Sequence, residues 1–209
     1  MPVIAITLKT ARGDHVMRLD LDPALPNEAT VLSFFAGNML YEPDIAAIFT
    51  RALRTGDIAL DIGANVGVFS VLAAHLVGPE GHVVAFEPVA ANRGRLAANL
   101  QRNALSNVIV IEQPAADGIG PVTFHLNSDN MGGHALWDPG ALGGNVKTRA
   151  APESFQTMTT TVDATLDALR LGCAARGEDR HRRRRAFGFA GCRGAAHGAR
   201  NAVHHRRVA

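Results

Sequence analysis

Ala59-Leu60-Asp61-Ile62-Gly63-Ala64-Asn65-Val66-Gly67-Val68-Phe69-Ser70 joins a short apolar run, a turn with two glycines and the start of a second apolar run. Residues 58–62 have the length and apolar density of a buried strand, and 68–77 have helical spacing that stops at Gly78-Pro79-Glu80-Gly81. The order strand, tight loop, helix decides the fold. Gly63 and Gly67 remove side chains where the backbone turns sharply and approaches a ligand, and Asn65 is among the few other residues that tolerate a positive φ.

The pattern repeats downstream. Residues 82–87 read as a second strand, 92–103 as a second helix and 107–112 as a third strand. Two successive β-α-β units imply parallel strands, because each crossover is right-handed and helix-sized. Upstream, residues 3–8 and 15–21 alternate apolar and polar positions around the turn formers at 11–14, which predicts a hairpin flanking the main sheet. Asp44 is placed to cap an amphipathic helix running to about residue 54, with Thr55-Gly56-Asp57 as its stop. Farther on, 121–126 and 157–162 read as β segments bracketing a Gly/Asn-rich stretch at 127–145, and 163–171 as the start of another helix.

The glycine turn does not fit a dinucleotide site. A G-x-G-x-x-G fingerprint would need glycines where Asn65 and Val68 stand. Instead Asp61 lies two residues before the first glycine, where its charge repels a diphosphate and suits a cation. S-adenosylmethionine (SAM) carries a sulfonium and an ammonium group and no phosphate. Twenty residues beyond Gly67, Glu87 ends the second strand, the position at which doubly wound folds place an acid to accept hydrogen bonds from ribose hydroxyls. A lone glycine turn between strand and helix is often packing only. The two acids in this order favour the ligand reading.

In these residues and those that follow, the sequence resembles the FkbM-type SAM-dependent methyltransferases. The resemblance rests on Tyr41-Glu42-Pro43, the run from Asp61 to Ser70, Ala85-Phe86-Glu87-Pro88, Leu96, Asn99, Asn103, Asn107-Val108, Ala115-Ala116-Asp117, Gly120 and Thr165-Leu166-Asp167. It implies an α/β, Rossmann-like class I methyltransferase fold, present as its N-terminal half and followed by an irregular basic C-terminal tail. It implies SAM as cofactor, with Asp61, Gly63, Asn65 and Gly67 along its methionine and ribose side, Glu87 on the ribose hydroxyls, and Ala116 and Asp117 near the adenine. Glu42 is a further cofactor candidate, beside an equal case for a capping or turn role. The implied reaction is methyl transfer to a hydroxyl of a sugar or other small molecule. No catalytic base is named. His125, Asp129 and His134 qualify by location alone, with solvated loop groups as the default reading.

Composition bounds the rest. The chain has 209 residues, 47% of them hydrophobic, enough for one α/β domain. No apolar run reaches the roughly 18 residues of a membrane span, and the start MPVIAITLKT has no signal-peptide pattern. A cytoplasmic protein without a membrane partner is expected. Cys173 and Cys192 show no metal-ligand spacing, so neither a disulfide framework nor a metal site is expected.

The net charge of +2 hides a division: residues 1–169 hold 10 Lys/Arg against 17 Asp/Glu, and 170–209 hold 11 Arg against 2 acids. Three segments follow: 1–55 with the hairpin and leading helix, 56–171 as an incomplete SAM-binding domain, and 172–209 as an Arg/His/Gly/Ala-rich tail expected to be disordered. Where the family continues with a strand reading approximately K-I-D-V-E-G, this chain has Cys173-Ala174-Ala175-Arg176-Gly177. A sudden gain of arginine with loss of periodicity is what a shifted reading frame in a GC-rich gene produces, so a frameshifted, truncated product is expected, an enzyme by resemblance whose own activity the sequence leaves open. That would leave three parallel strands with the first as an unpaired edge, and a non-catalytic SAM-binding fragment is one alternative. Another is a nucleic-acid methyltransferase whose arginines at 182–185, with His181, His204, His205, Arg206 and Arg207, neutralise phosphates. The acidic body and only Phe187 and Phe189 for stacking argue against nucleic acid. The oligomeric state is not legible.

Overall fold

The computed structural model describes residues 3–10, 13–37, 39–130, 132–171, 186–190 and 205–206. Strands β1 (Val3–Thr10) and β2 (Gly13–Asp20) form the expected antiparallel hairpin. Met17, Leu19 and Leu21, alternate residues of one face, are buried against the helices behind the main sheet. Helix α1 (Pro26–Ala36) has no counterpart among the expected elements. Pro26 opens it, Val31 and Phe35 are buried four residues apart, and the buried Glu28 carboxylate meets Arg95 at 2.6 Å. Helix α2 (Pro43–Ala52) has Glu42, at a positive φ of 46° and without a side-chain capping bond, in the N-cap position, and Asp44 falls in the first turn. Pro43 at the first helical position moves the start one residue earlier than the acid suggests.

β3 (Ile58–Ile62), α3 (Val68–Val77), β4 (His82–Phe86), α4 (Ala90–Arg102) and β5 (Val108–Ile111) are the two β-α-β units, with all three strands parallel. Alternation sends Ala59, Val83 and Ala85 to the side of α3, α4 and the hairpin, and Ile58, Leu60, Val84 and Phe86 to the other. Two amide side chains fasten the hairpin to this core. Asn99 of α4 accepts from the Asp20 N–H (2.7 Å) and donates to the Val66 carbonyl (2.8 Å), while Asn103 exchanges two bonds with the Arg18 backbone.

Strands β6 (Pro121–Leu126) and β7 (Glu153–Met158) form a separate antiparallel ribbon, with the short helix α5 (Val146–Ala150) in the connection between them. The second strand lies four residues before the expected 157–162. Its pairing is anchored by Phe155 opposite Phe124, and Thr161 is already the cap of α6 (Val162–Ala168), its hydroxyl oxygen accepting from the Ala164 N–H. Leu166 of α6 covers the far face of the sheet.

The edge of β3 is paired. β8 (Ala186–Ala190) runs parallel to it, from Ala186 beside Ile58 to Ala190 beside Ile62, and β9 (His205–Arg206) is antiparallel to β8. The sheet order is β5-β4-β3-β8-β9. The expectation that nothing after residue 172 adds a strand is therefore corrected at 186–190 and 205–206. Ala186-Phe187-Gly188-Phe189-Ala190 is a five-residue alternation, long enough to pair with a five-residue neighbour and too short to stand out among arginines and histidines. Both cysteines, Arg182–Arg185, His181, His204 and Arg207 lie outside the described residues. No described helix is long and apolar enough to cross a membrane.

Candidate functional site

The site is built on the carboxyl ends of the parallel strands, where open α/β sheets place their ligands. Between β3 and α3 the chain takes positive φ at Gly63 (82°), Asn65 (51°) and Gly67 (89°), the three positions at which the sequence requires it. The Gly63 and Ala64 N–H groups both donate to the Phe86 carbonyl (2.9 and 3.0 Å), so the bend is folded down over the tip of β4.

The two glycines serve different neighbours. Gly63 is exposed and forms part of a crevice. Gly67 is buried at the start of α3, and a Cβ there would collide with the Leu96 side chain of α4. Its role is to let two helices approach.

Asp61, by strand alternation, points to the α3 side. It is 2% exposed and accepts from the Ser70 hydroxyl at 2.6 Å. Burial pushes its pKa up to about 6; the Ser70 hydrogen bond opposes this and the charge of Glu87 adds to it. Glu87 follows β4 directly. One carboxylate oxygen accepts from the Asn65 N–H (2.8 Å), the other from the Val89 N–H (2.9 Å) and Asn92 Nδ2 (3.3 Å). Burial raises its pKa as well, against the pull of those donors. The two acids stand on adjacent strand tips, close enough for the Glu87 charge to perturb Asp61; Glu87 holds the bend through Asn65, and Asp61 ties β3 to Ser70 of α3.

A crevice of about 250 Å³ opens beside this bend. Ile62, Gly63, Asn65, Phe86, Glu87 and Pro88 make its floor, and Asn92, Pro114 and Ala115 a side wall. Phe124 and residues Gly132, His134, Ala135, Leu136 and Trp137, from β6 and the loop after it, form a roof. Of the residues expected at a cofactor, Gly63, Asn65 and Glu87 meet here. Asp61 and Gly67 lie behind the floor. Ala116 follows the wall with its N–H bonded to the Thr160 carbonyl (2.9 Å), Asp117 is exposed, and Glu42 stands at the N-cap position of α2; none of these lines the crevice.

The three loop candidates also separate. Asp129 is a structural acceptor, taking the Thr148 N–H (2.8 Å) and hydroxyl (2.8 Å), and these bonds hold its pKa below the usual value. His125 pairs through its backbone with Ala135. His134 alone reaches the crevice. Sequence reasoning had no means of finding the roof, although Trp137, the chain's one tryptophan, stands there 44% exposed.

Residues 61–172 match the family described as the methyltransferase FkbM domain. FkbM of Streptomyces tacrolimicus, a 31-O-demethyl-FK506 methyltransferase, is 36% identical over 122 residues, which are 52% of this chain and 44% of that protein. A protein-L-isoaspartate O-methyltransferase of Ignicoccus hospitalis is 33% identical over 96 residues, 45% of this chain and 46% of that one. The matches thus span somewhat under half the length of these relatives. Among solved structures, a SAM-dependent O-methyltransferase from Thermotoga maritima aligns with a TM-score of 0.36 at 19% identity, over 53% of this chain and 42% of that chain. The family match runs from the acid inside β3 to just past α6, more than half of the residues, and the chain belongs to the FkbM methyltransferase family.

Proposed function

We propose that the crevice holds SAM and that the activity is methyl transfer from it to a hydroxyl oxygen of a small molecule. One observation carries the reading: Glu87 is fixed at the tip of β4 by the Asn65 and Val89 N–H groups, beside a positive-φ bend and one strand away from the buried acid Asp61. Oε2, with one donor, keeps a free lone-pair direction for a ribose hydroxyl, while Oε1 already takes two donors, the longer of them from Asn92 at 3.3 Å. Asn65 supports the fit, because its Oδ1 is buried with no hydrogen-bond partner among the described residues while the residue lines the crevice. Asp61 contributes negative potential beneath the loop, favouring a cation over a phosphate. A volume of about 250 Å³ lies just under the ~300–1,000 Å³ of pockets for drug-sized ligands, and so suits the nucleoside part with the methionine end beyond Gly63.

Bound there, SAM supplies a sulfonium methyl for in-line transfer, a reaction in which orientation removes much of the barrier. The chain's part is to fix the ribose through Glu87, keep the backbone at Gly63 close to the sulfur side and exclude water with the apolar roof. An oxygen acceptor is inferred from the relative named for 31-O-demethyl-FK506. Titration with S-adenosylhomocysteine tests the cofactor reading. Glu87→Ala is expected to weaken binding by about 10- to 100-fold, the value of ~1.5–3 kcal/mol for hydrogen bonds to a charged group. Unchanged affinity overturns it.

A further inference from the structure

We infer that His134 is the residue that hydrogen-bonds the base of the bound nucleoside, through an Nε2–H donor aimed under the roof. The inference rests on the proposed cofactor reading and goes beyond it, since no motif of the sequence marks this position.

The direction of the ligand follows from the strand order. The crevice is bounded by the tips of β3, β4 and β5 in that sequence: Ile62 and Gly63, then Glu87 and Pro88, then Pro114 and Ala115. With the ribose on Glu87 and the cationic end toward Asp61, the base extends to the β5 side. There its faces meet Pro88, Pro114, Phe124 and Trp137, the apolar surface that a planar heterocycle requires.

A base also needs its edge satisfied. The Asn127 N–H donates to His134 Nδ1 at 2.9 Å, which leaves that nitrogen bare and puts the proton of the neutral ring on Nε2. His134 Nε2 is buried and has no partner among the described residues. A buried donor without an acceptor is costly, so a polar group facing a ligand crevice in this state points to a ligand acceptor. Adenine offers ring nitrogens as acceptors and no competing positive charge. Burial lowers the His134 pKa, so the ring stays a neutral single donor at physiological pH.

The two ring nitrogens can be replaced separately. His134→Asn keeps an acceptor near the Nδ1 position and so keeps the Asn127 bond, but loses the distal donor. His134→Gln keeps a distal N–H donor and loses the Nδ1 acceptor. Titration of the full chain with S-adenosylhomocysteine is expected to show about a tenfold loss for H134N and at most about a threefold loss for H134Q. Thermal unfolding without ligand should show the reverse order, H134Q melting lower than H134N. The opposite ranking of affinities, or equal affinities in the two variants, overturns the inference. Binding by the unmodified chain that Glu87→Ala abolishes and neither His134 variant alters would sink this inference alone. Absence of binding by the unmodified chain would sink the cofactor reading with it.

Discussion

The floor and the roof of the crevice are stabilised by different physics. The floor is long-range: the bend at 63–67 is held by Phe86 of another strand, by Leu96 and Asn99 of α4, and through Asn99 by the hairpin some 79 residues away in sequence. Its helix α3 is buried along nearly every residue. The roof turns apolar residues to the crevice but is held locally, by polar groups. Asn127 Oδ1 accepts from the N–H groups of Asp129 (3.0 Å) and Asn130 (2.9 Å), Asp138 from Gly140 (2.8 Å), and Thr148 sits at 1% exposure between Asn127 and Asp129. Apolar packing in that ribbon centres on Phe124 and Phe155. A region held by short-range hydrogen bonds opens at lower cost than a packed one, and elements that close over ligands come from that end of the stability range.

The largest expected effect breaks the floor. Gly67→Ala combines a φ of 89° with a Cβ that collides with fully buried Leu96. Strain and overpacking together should cost about 3 kcal/mol or more, visible as a large fall in the urea midpoint. Gly63→Ala carries a φ penalty of about 1–2 kcal/mol at an exposed residue that lines the crevice, and it should lower cofactor affinity more than stability. Equal destabilisation by the two substitutions would remove the distinction between a packing glycine and a ligand glycine.

Asp61→Asn comes next and sharpens the comparison in the opposite direction. The native state raises the Asp61 pKa from 3.8 to about 6 and so binds the proton more tightly than the unfolded chain. Stability should then fall as pH rises from about 4 to 6 and stay lowered above it, by about two units at ~1.4 kcal/mol each, or about 3 kcal/mol. Asn removes that buried charge and still accepts from Ser70. The variant is expected to melt higher than the unmodified chain at pH 8, match it near pH 4 and bind S-adenosylmethionine more weakly. A variant less stable at pH 8 would mean that the charge is compensated by groups other than Ser70.

What the sequence disclosed follows the same division. β3, its bend, α3, β4, α4 and β5 were readable because each carries its own signal: period, length, glycine or Asn at a positive φ. Gly63, Asn65 and Glu87 meet at the crevice, whereas Asp61 and Gly67 from the same motif lie behind it, since a motif records which residues are required and not which face they present. α1 was illegible because one of its buried positions is Glu28, whose carboxylate is satisfied by the Asp22 N–H and by Arg95 of a helix 67 residues on. β8 takes its meaning from β3, 128 residues earlier at Ile58 opposite Ala186. The roof was lost to composition: Asn, Asp and Thr that cap and cross-link a loop read, in one dimension, like solvated ones.

Thr148→Val tests whether the roof is a separate unit, and its expected effect is the smallest. The change keeps shape and removes a hydroxyl that bonds Asn127 Oδ1 (3.0 Å) and Asp129 (2.8 Å) and accepts from the Ser128 N–H (2.9 Å). Asn127 and Asp129 keep backbone donors, so the main loss is the Ser128 partner, about 1 kcal/mol or somewhat more. If the roof opens independently, amide exchange across 125–150 should quicken by roughly fivefold or more while 58–62, 82–86 and 108–111 exchange as before. Faster exchange in those strands as well would show that floor and roof unfold together, and that the local bonds around Thr148 belong to the same cooperative structure as Leu96 and Gly67.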